Sequence, residues 1–334
     1  AILGVLTVGT VVCSGNSTFI LYLIMILAAK EVNVRTIVKL TCIIQGAMLL
    51  SIVVMSQIGI IPDYIFDAST RQRHGLGFLW TTTGAILYFY FMVLYIYLRE
   101  ERAHLIEYVI LEAVNFGLYK LTDARMSFYL STLLLVYVYV MRFYWQNRKD
   151  RIRKNRLLIG APAFFCILAV ACQIFYIPTD ARWQKINSVL SGRLELGCFG
   201  WRDYGFSLLG TKIEWIGFSH NATAGAYNYV DCSYMQILLE NGLIPLVIII
   251  AVYTYIMYMA VKEKDFYLQT AVLLITAFSI TEPRLLNLAY NPLPFFGITY
   301  ISLRGRSALF HREGHRLNRR VRFRTTHVRL KARK

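Results

Sequence analysis

The chain has 334 residues, of which 57% are hydrophobic and only 16% charged, and its mean hydropathy is +0.48. That balance excludes an ordinary water-soluble domain and predicts an all-α polytopic membrane protein. The net charge of +17 does not argue for nucleic acid, because residues 301–334 hold 12 of the 36 Lys and Arg and alone contribute +11.

In chain order, the apolar windows predict about 10 transmembrane segments, at roughly 1–13, 17–29, 37–60, 80–98, 105–119, 127–145, 157–177, 236–261, 266–281 and 293–303. Residues 1–12 are too short to cross alone, since a spanning helix needs about 20 apolar residues. No basic stretch or cleavage site precedes them, so the chain is expected to start inside a span, with its N-terminus incomplete. Lys and Arg in the connections set the orientation. Lys30, Arg35, Lys39, Arg99, Arg102, Arg142, the run "RKDRIRK", Arg156, Lys262 and Lys264 fall in short alternate loops, which are therefore expected to be cytoplasmic. The other set, 61–79, 120–126, 178–235 and 282–292, then faces outward, with 178–235 as one long extracellular loop between segments 7 and 8. Residues 1–303 form the expected membrane domain. Residues 304–334 form a basic cytoplasmic tail, with attraction to anionic lipid and a non-native end both open as readings.

Within the long loop, "NSVLSGRLELG" suggests a short helix around 183–194, with Asp180 as its N-cap and Gly197 as its terminator. Further on, "DCSYMQILLENG" suggests a short interfacial helix capped by Asp231 and leading into a span. The six cysteines show no metal spacing, and the chain contains no phosphate-binding glycine loop, dinucleotide fingerprint or nucleophile elbow. The outward loops nevertheless carry Arg71, Arg73 and His74; Asp123 and Arg125; Arg193; His220; Asp231; and Glu282 and Arg284. Arginine near a span end is costly unless paired, and its planar fork suits phosphate oxygens. Taken singly, each arginine also fits a snorkelling anchor, and Asp123–Arg125 and Glu282–Arg284 fit simple pairs. The tyrosines around 227–234 fit an aromatic belt as well as a sugar platform.

The stretches "RQRHGLGF" (71–78), "LTDARMSF" (121–128), "LSGRLELG" (190–197), "YNYVDCSYMQILLENGL" (227–243) and "TEPRLLNLAYNPL" (281–293) follow one another at suggestive spacing. In that order they resemble the Wzy-type polymerases of bacterial capsular polysaccharide, exopolysaccharide and O-antigen, especially those of Gram-positive cocci and lactobacilli. The resemblance covers most of residues 17–300. It implies a multi-pass enzyme of the bacterial plasma membrane that joins undecaprenyl-pyrophosphate-linked oligosaccharide units on the outer face. Implied partners are those lipid-linked oligosaccharides, membrane lipids, a flippase and a chain-length regulator; no cofactor, metal or nucleic acid is implied. On this reading Arg73, Arg125 and Arg193 supply positive charge to the departing pyrophosphate, and Arg71 and Arg284 are further substrate-binding residues. Asp231 is the first choice for proton acceptor, with Glu282 and His220 behind it. Tyr229 and Tyr234 stack on or hydrogen-bond pyranose rings. The chain departs from the family pattern at Gly75, at "TTT" (81–83), at Cys232 and in the tail beyond Ile301. Two alternatives remain: a ligase-type transferase using the same donor, and a transporter or flippase of the lipid-linked unit. A transporter would place ionisable groups in mid-span, where Glu107 and Glu112 are the only clear acids.

Overall fold

The computed structural model describes residues 2–68, 71–152, 156–217 and 227–302. His220, the side chain of Arg71 and the basic tail 304–334 lie outside the described residues. The described residues are 72% helical. The helices are α1 (Ile2–Ser14), α2 (Thr18–Ala28), α3 (Val34–Gln57), α4 (Thr83–Arg99), α5 (Leu105–Thr122), α6 (Arg125–Ile152) and α7 (Ala161–Ile174). There follow α8 (Ala181–Val189), α9 (Arg193–Tyr204), α10 (Ser233–Glu240), α11 (Leu243–Lys262), α12 (Phe266–Phe278) and a last helix, α13, over 294–302.

Three helical stretches among the described residues are long and apolar enough to cross a membrane: Val34–Gln57, Arg156–Ile174 and Leu243–Lys262. The other apolar windows form helices too, but these are shorter or carry more charge. Phe266–Phe278, for example, has 13 residues. The window 236–261 is not one helix. It breaks at Asn241–Gly242, where Gly242 takes φ +93°, and only α11 has the length of a span.

The all-α expectation needs one correction. Two short strands, β1 (Ile65–Ala68) and β2 (Arg71–His74), pair antiparallel, with Phe66 opposite Arg73. The ribbon is tied down by Asp63, whose carboxylate accepts from the Leu76 amide at 2.7 Å and pairs with His74 at 2.6 Å. A search for helical apolar runs passes over such a short polar ribbon.

The core is a bundle in which α4 is buried along nearly its whole length, against α3, α5, α6 and α12. Aromatic side chains fill it: Phe89 lies 4.3 Å from Phe278, and Tyr90 packs edge-on against Tyr290 at 5.7 Å. Side-chain contacts sort the connections into two ends. At one end Arg35 pairs with Glu100 at 2.7 Å, Arg99 pairs with Glu107 at 2.6 Å, Arg142 donates to the Ala103 carbonyl, and Tyr300 donates to Glu263. At the other, Arg73 donates to the Thr122 carbonyl at 3.0 Å, and Arg193 donates to the Thr281 carbonyl at 2.9 Å.

The described residues of 178–232 contain two helices, α8 and α9. Asp180 caps α8, accepting from the Arg182 amide at 2.7 Å. The helix ends at Val189 rather than at Gly197, because Ser191 and Gly192 both take left-handed backbone, at φ +56° and +83°, and reverse the chain. Gly197 lies inside α9 instead. A Cβ there would meet Gln173 of α7 at 1.6 Å, so the glycine permits close helix packing. Asp231 does not cap α10 either; Cys232 occupies that position without a side-chain cap. The Asp231 carboxylate is turned toward Arg193.

Candidate functional site

The site is built on the segment 281–292, which has no regular helix and is held by buried polar side chains from three helices. Ser233 of α10 donates to the Glu282 carbonyl at 2.5 Å and accepts from the Leu285 amide at 3.1 Å. Tyr253 of α11 and Asn291 both donate to the Leu285 carbonyl, at 2.8 and 2.7 Å. Gln45 of α3 donates to the carbonyls of Ala289 and Tyr290. Buried backbone groups need partners, and here specific side chains supply them and so fix the loop. That rigidity positions Glu282 and Arg284.

Arg193 arrives from the other side as the first residue of α9. Asn187 of α8 holds that helix start: its side-chain oxygen accepts from the amides of Leu194 and Glu195 at 3.1 and 3.3 Å. Arg193 then lies between three groups. Its Nε donates to the Thr281 carbonyl, its guanidinium pairs with Glu282 at 3.4 Å, and it approaches Asp231 at 4.0 Å. Arg284 completes the cluster, pairing with Glu282 at 2.7 Å while its guanidinium lies 5.0 Å from the centre of the Tyr290 ring. Glu282 is thus clasped by two arginines and is 5% exposed, whereas 28% of the Asp231 side chain remains accessible.

These four charged residues line a cleft of about 180 Å³ together with Trp80, Thr82, Thr83, Tyr227 and Tyr229. Asn228, between the two tyrosines, accepts from the Ile216 amide and donates to the Tyr204 hydroxyl and the Glu214 carbonyl, which orients both neighbours. Burial pushes the Glu282 carboxyl up to about 7, against the opposing pull of Arg284 and Arg193 and with a further push from Asp231. Burial also raises Asp231, with Arg193 and Arg284 pulling it back. Carboxyls raised by burial beside fixed cations give the cleft groups able to exchange a proton and positive charge that does not titrate.

Of the residues expected from the sequence, the cleft brings together Arg193, Asp231, Glu282, Arg284 and Tyr229. Arg73 and Arg125 are not among its described lining residues. Arg73 donates to Thr122, and Arg125 is mostly exposed and pairs with Asp123 at 3.4 Å. Tyr234 is not at the cleft: it is fully buried and donates to the Thr276 carbonyl at 2.6 Å, with no face left for a sugar. His220 and the Arg71 side chain lie outside the described residues. The structure adds Trp80, Thr82, Thr83 and Tyr227. Tyr227 begins the "YNYVD" stretch already singled out, so a signal for it existed. The threonines follow the two strands at the entry to α4, and only packing brings them to the arginines. Comparison with protein-family models, with curated proteins and with solved structures finds no match to this chain.

Proposed function

We propose that this chain is a multi-pass glycosyltransferase of the bacterial plasma membrane that polymerises polyprenyl-pyrophosphate-linked oligosaccharide units on its outer face. About ten membrane segments with cytoplasmic basic loops belong to the same proposal. The observation that carries it is the convergence of Arg193, Arg284, Asp231 and Glu282, from three distant stretches, on one aromatic-lined cleft. In the reaction an acceptor sugar hydroxyl attacks the anomeric carbon of the donor. The new C–O bond forms as the anomeric carbon–phosphate oxygen bond breaks, and the electron pair leaves on pyrophosphate. Asp231, the accessible carboxylate, takes the hydroxyl proton. Arg193 and Arg284 hold the developing phosphate charge, and Glu282 keeps the two guanidiniums in place.

The test is reconstitution in lipid nanodiscs with undecaprenyl-pyrophosphate-linked repeat units, followed by gel analysis of product length. The native chain yields a ladder of polymer, and Arg193→Ala lowers its rate about 100-fold or more with membrane insertion unchanged. An unchanged ladder in Arg193→Ala overturns the site. A single transfer to a foreign acceptor points to the ligase-type reading, and lipid translocation without bond formation to the transporter.

A further inference from the structure

On the far side of Tyr229 and Pro283 the cleft adjoins a second chamber, of about 260 Å³, with different chemistry. Its described lining contains no Lys, Arg or His. It carries the amides of Gln236, Asn241 and Asn287, and the carboxylate of Glu240, which accepts from Asn16 at 2.8 Å. Asn241 is 5% exposed, and among the described residues its NH2 group has no acceptor; the indole N–H of Trp215, also in the lining, has none either. Trp215 packs edge-on against Tyr229 at 5.9 Å, so aromatic surface stands beside the amides.

Each candidate ligand class meets this lining differently. A carboxylate without a cation repels phosphate and other anions. An alkyl chain would desolvate the Glu240 carboxylate and the amides of Gln236 and Asn287 without offering them partners, at a cost of about 1–3 kcal/mol each. A sugar ring has hydroxyls that both donate and accept, which amides and a carboxylate match, and an apolar C–H face suited to an aromatic plate.

We propose that this chamber binds a neutral sugar, the non-reducing end of the acceptor unit. The inference rests on the reading of the adjoining cleft as the pyrophosphate site. The donor sugar bonded to pyrophosphate belongs beside Arg193 and Arg284. The acceptor's terminal sugar is remote from its own pyrophosphate and needs no cation, and Tyr229 lies between the two compartments.

The experiment measures binding by calorimetry to the full chain in nanodiscs, using two probes. One is the repeat-unit oligosaccharide released from its lipid and pyrophosphate; the other is inorganic pyrophosphate. Asn287→Ala and Gln236→Leu are expected to weaken oligosaccharide binding at least tenfold and to leave pyrophosphate binding within twofold, which also reports correct folding. Arg193→Ala is expected to do the reverse. In turnover, Asn287→Ala raises KM for the lipid-free acceptor and not for the lipid-linked donor. Unchanged oligosaccharide affinity in both chamber variants overturns the inference, and so does a rise in the donor KM instead. Oligosaccharide binding that depends on the chamber, in a protein that binds no pyrophosphate, keeps the sugar site and removes the polymerase reading.

Discussion

Two tripeptides at the same end of the molecule have the same pattern, an acid and an arginine two residues apart: Asp123–Ala124–Arg125 and Glu282–Pro283–Arg284. The first pair is loose, at 3.4 Å with 63% of the Arg125 side chain exposed. The second is tight, at 2.7 Å with 21% and 7% of the side chains exposed, and a second arginine reaches the same carboxylate. The difference comes from what surrounds them. Asp123 is the left-handed C-cap of α5, on a short turn into α6, and its partner guanidinium on Arg125 stands in water, which screens the pair. Glu282 and Arg284 stand on a segment pinned by Gln45, Ser233, Tyr253 and Asn291, out of bulk water. One pattern therefore makes an ordinary surface pair in one place and a preorganised charge cluster in the other.

The contrast is broken most directly through stability. Arg284→Ala leaves a buried carboxylate with only Arg193 beside it, and removing one partner of a buried pair costs about 3–5 kcal/mol. The lower end is expected, because Glu282 can take up a proton, and thermal unfolding in nanodiscs measures it. A second test uses pH. Glu282 titrates at about 7 in the folded protein, against about 4.5 for an ordinary glutamate, so the native state holds the extra proton between those values. Its contribution to stability is present below about 4.5 and is lost as pH rises to 7. Over the same rise the cluster loses net positive charge, so pyrophosphate affinity falls relative to that of Glu282→Gln. A wild-type-to-variant affinity ratio that stays flat from pH 5 to 9 would sink the assignment. The smallest effect belongs to the exposed guanidinium: Arg125→Ala should change stability by less than about 1 kcal/mol and leave polymer length unaltered. A loss of polymer in Arg125→Ala would return that arginine to the site.

Much of the fold is legible in the apolar windows. The helices α3, α7 and α11 fall within long runs of Val, Ile, Leu and Phe, although the break at Asn241–Gly242 that starts α11 is not visible in its window. Burial does not follow from hydropathy alone. α2, with eleven residues and the highest apolar content among the helices, buries none of them, whereas α4 buries most of its length. In a membrane protein lipid-facing and core-facing residues are equally apolar, so composition does not separate them. The site is legible in part for a related reason. Arg193, Asp231 and Glu282 stand out as charges in an apolar chain. Whether two charges share a cleft depends on backbone reversals such as Ser191–Gly192, which local sequence specifies only weakly.

By itself, then, the sequence determined the predominance of apolar helices and the inventory of charges, because hydrophobic runs and ionisable residues act through local chemistry. Tertiary structure alone decided that Arg193 and Arg284 clasp Glu282 while Arg125 stays at the surface, and that Tyr234 is core while Tyr227 lines the cleft. The reason is that partnership and desolvation are properties of the packed ensemble of segments. A charged residue acquires its strength from the water that its distant neighbours exclude.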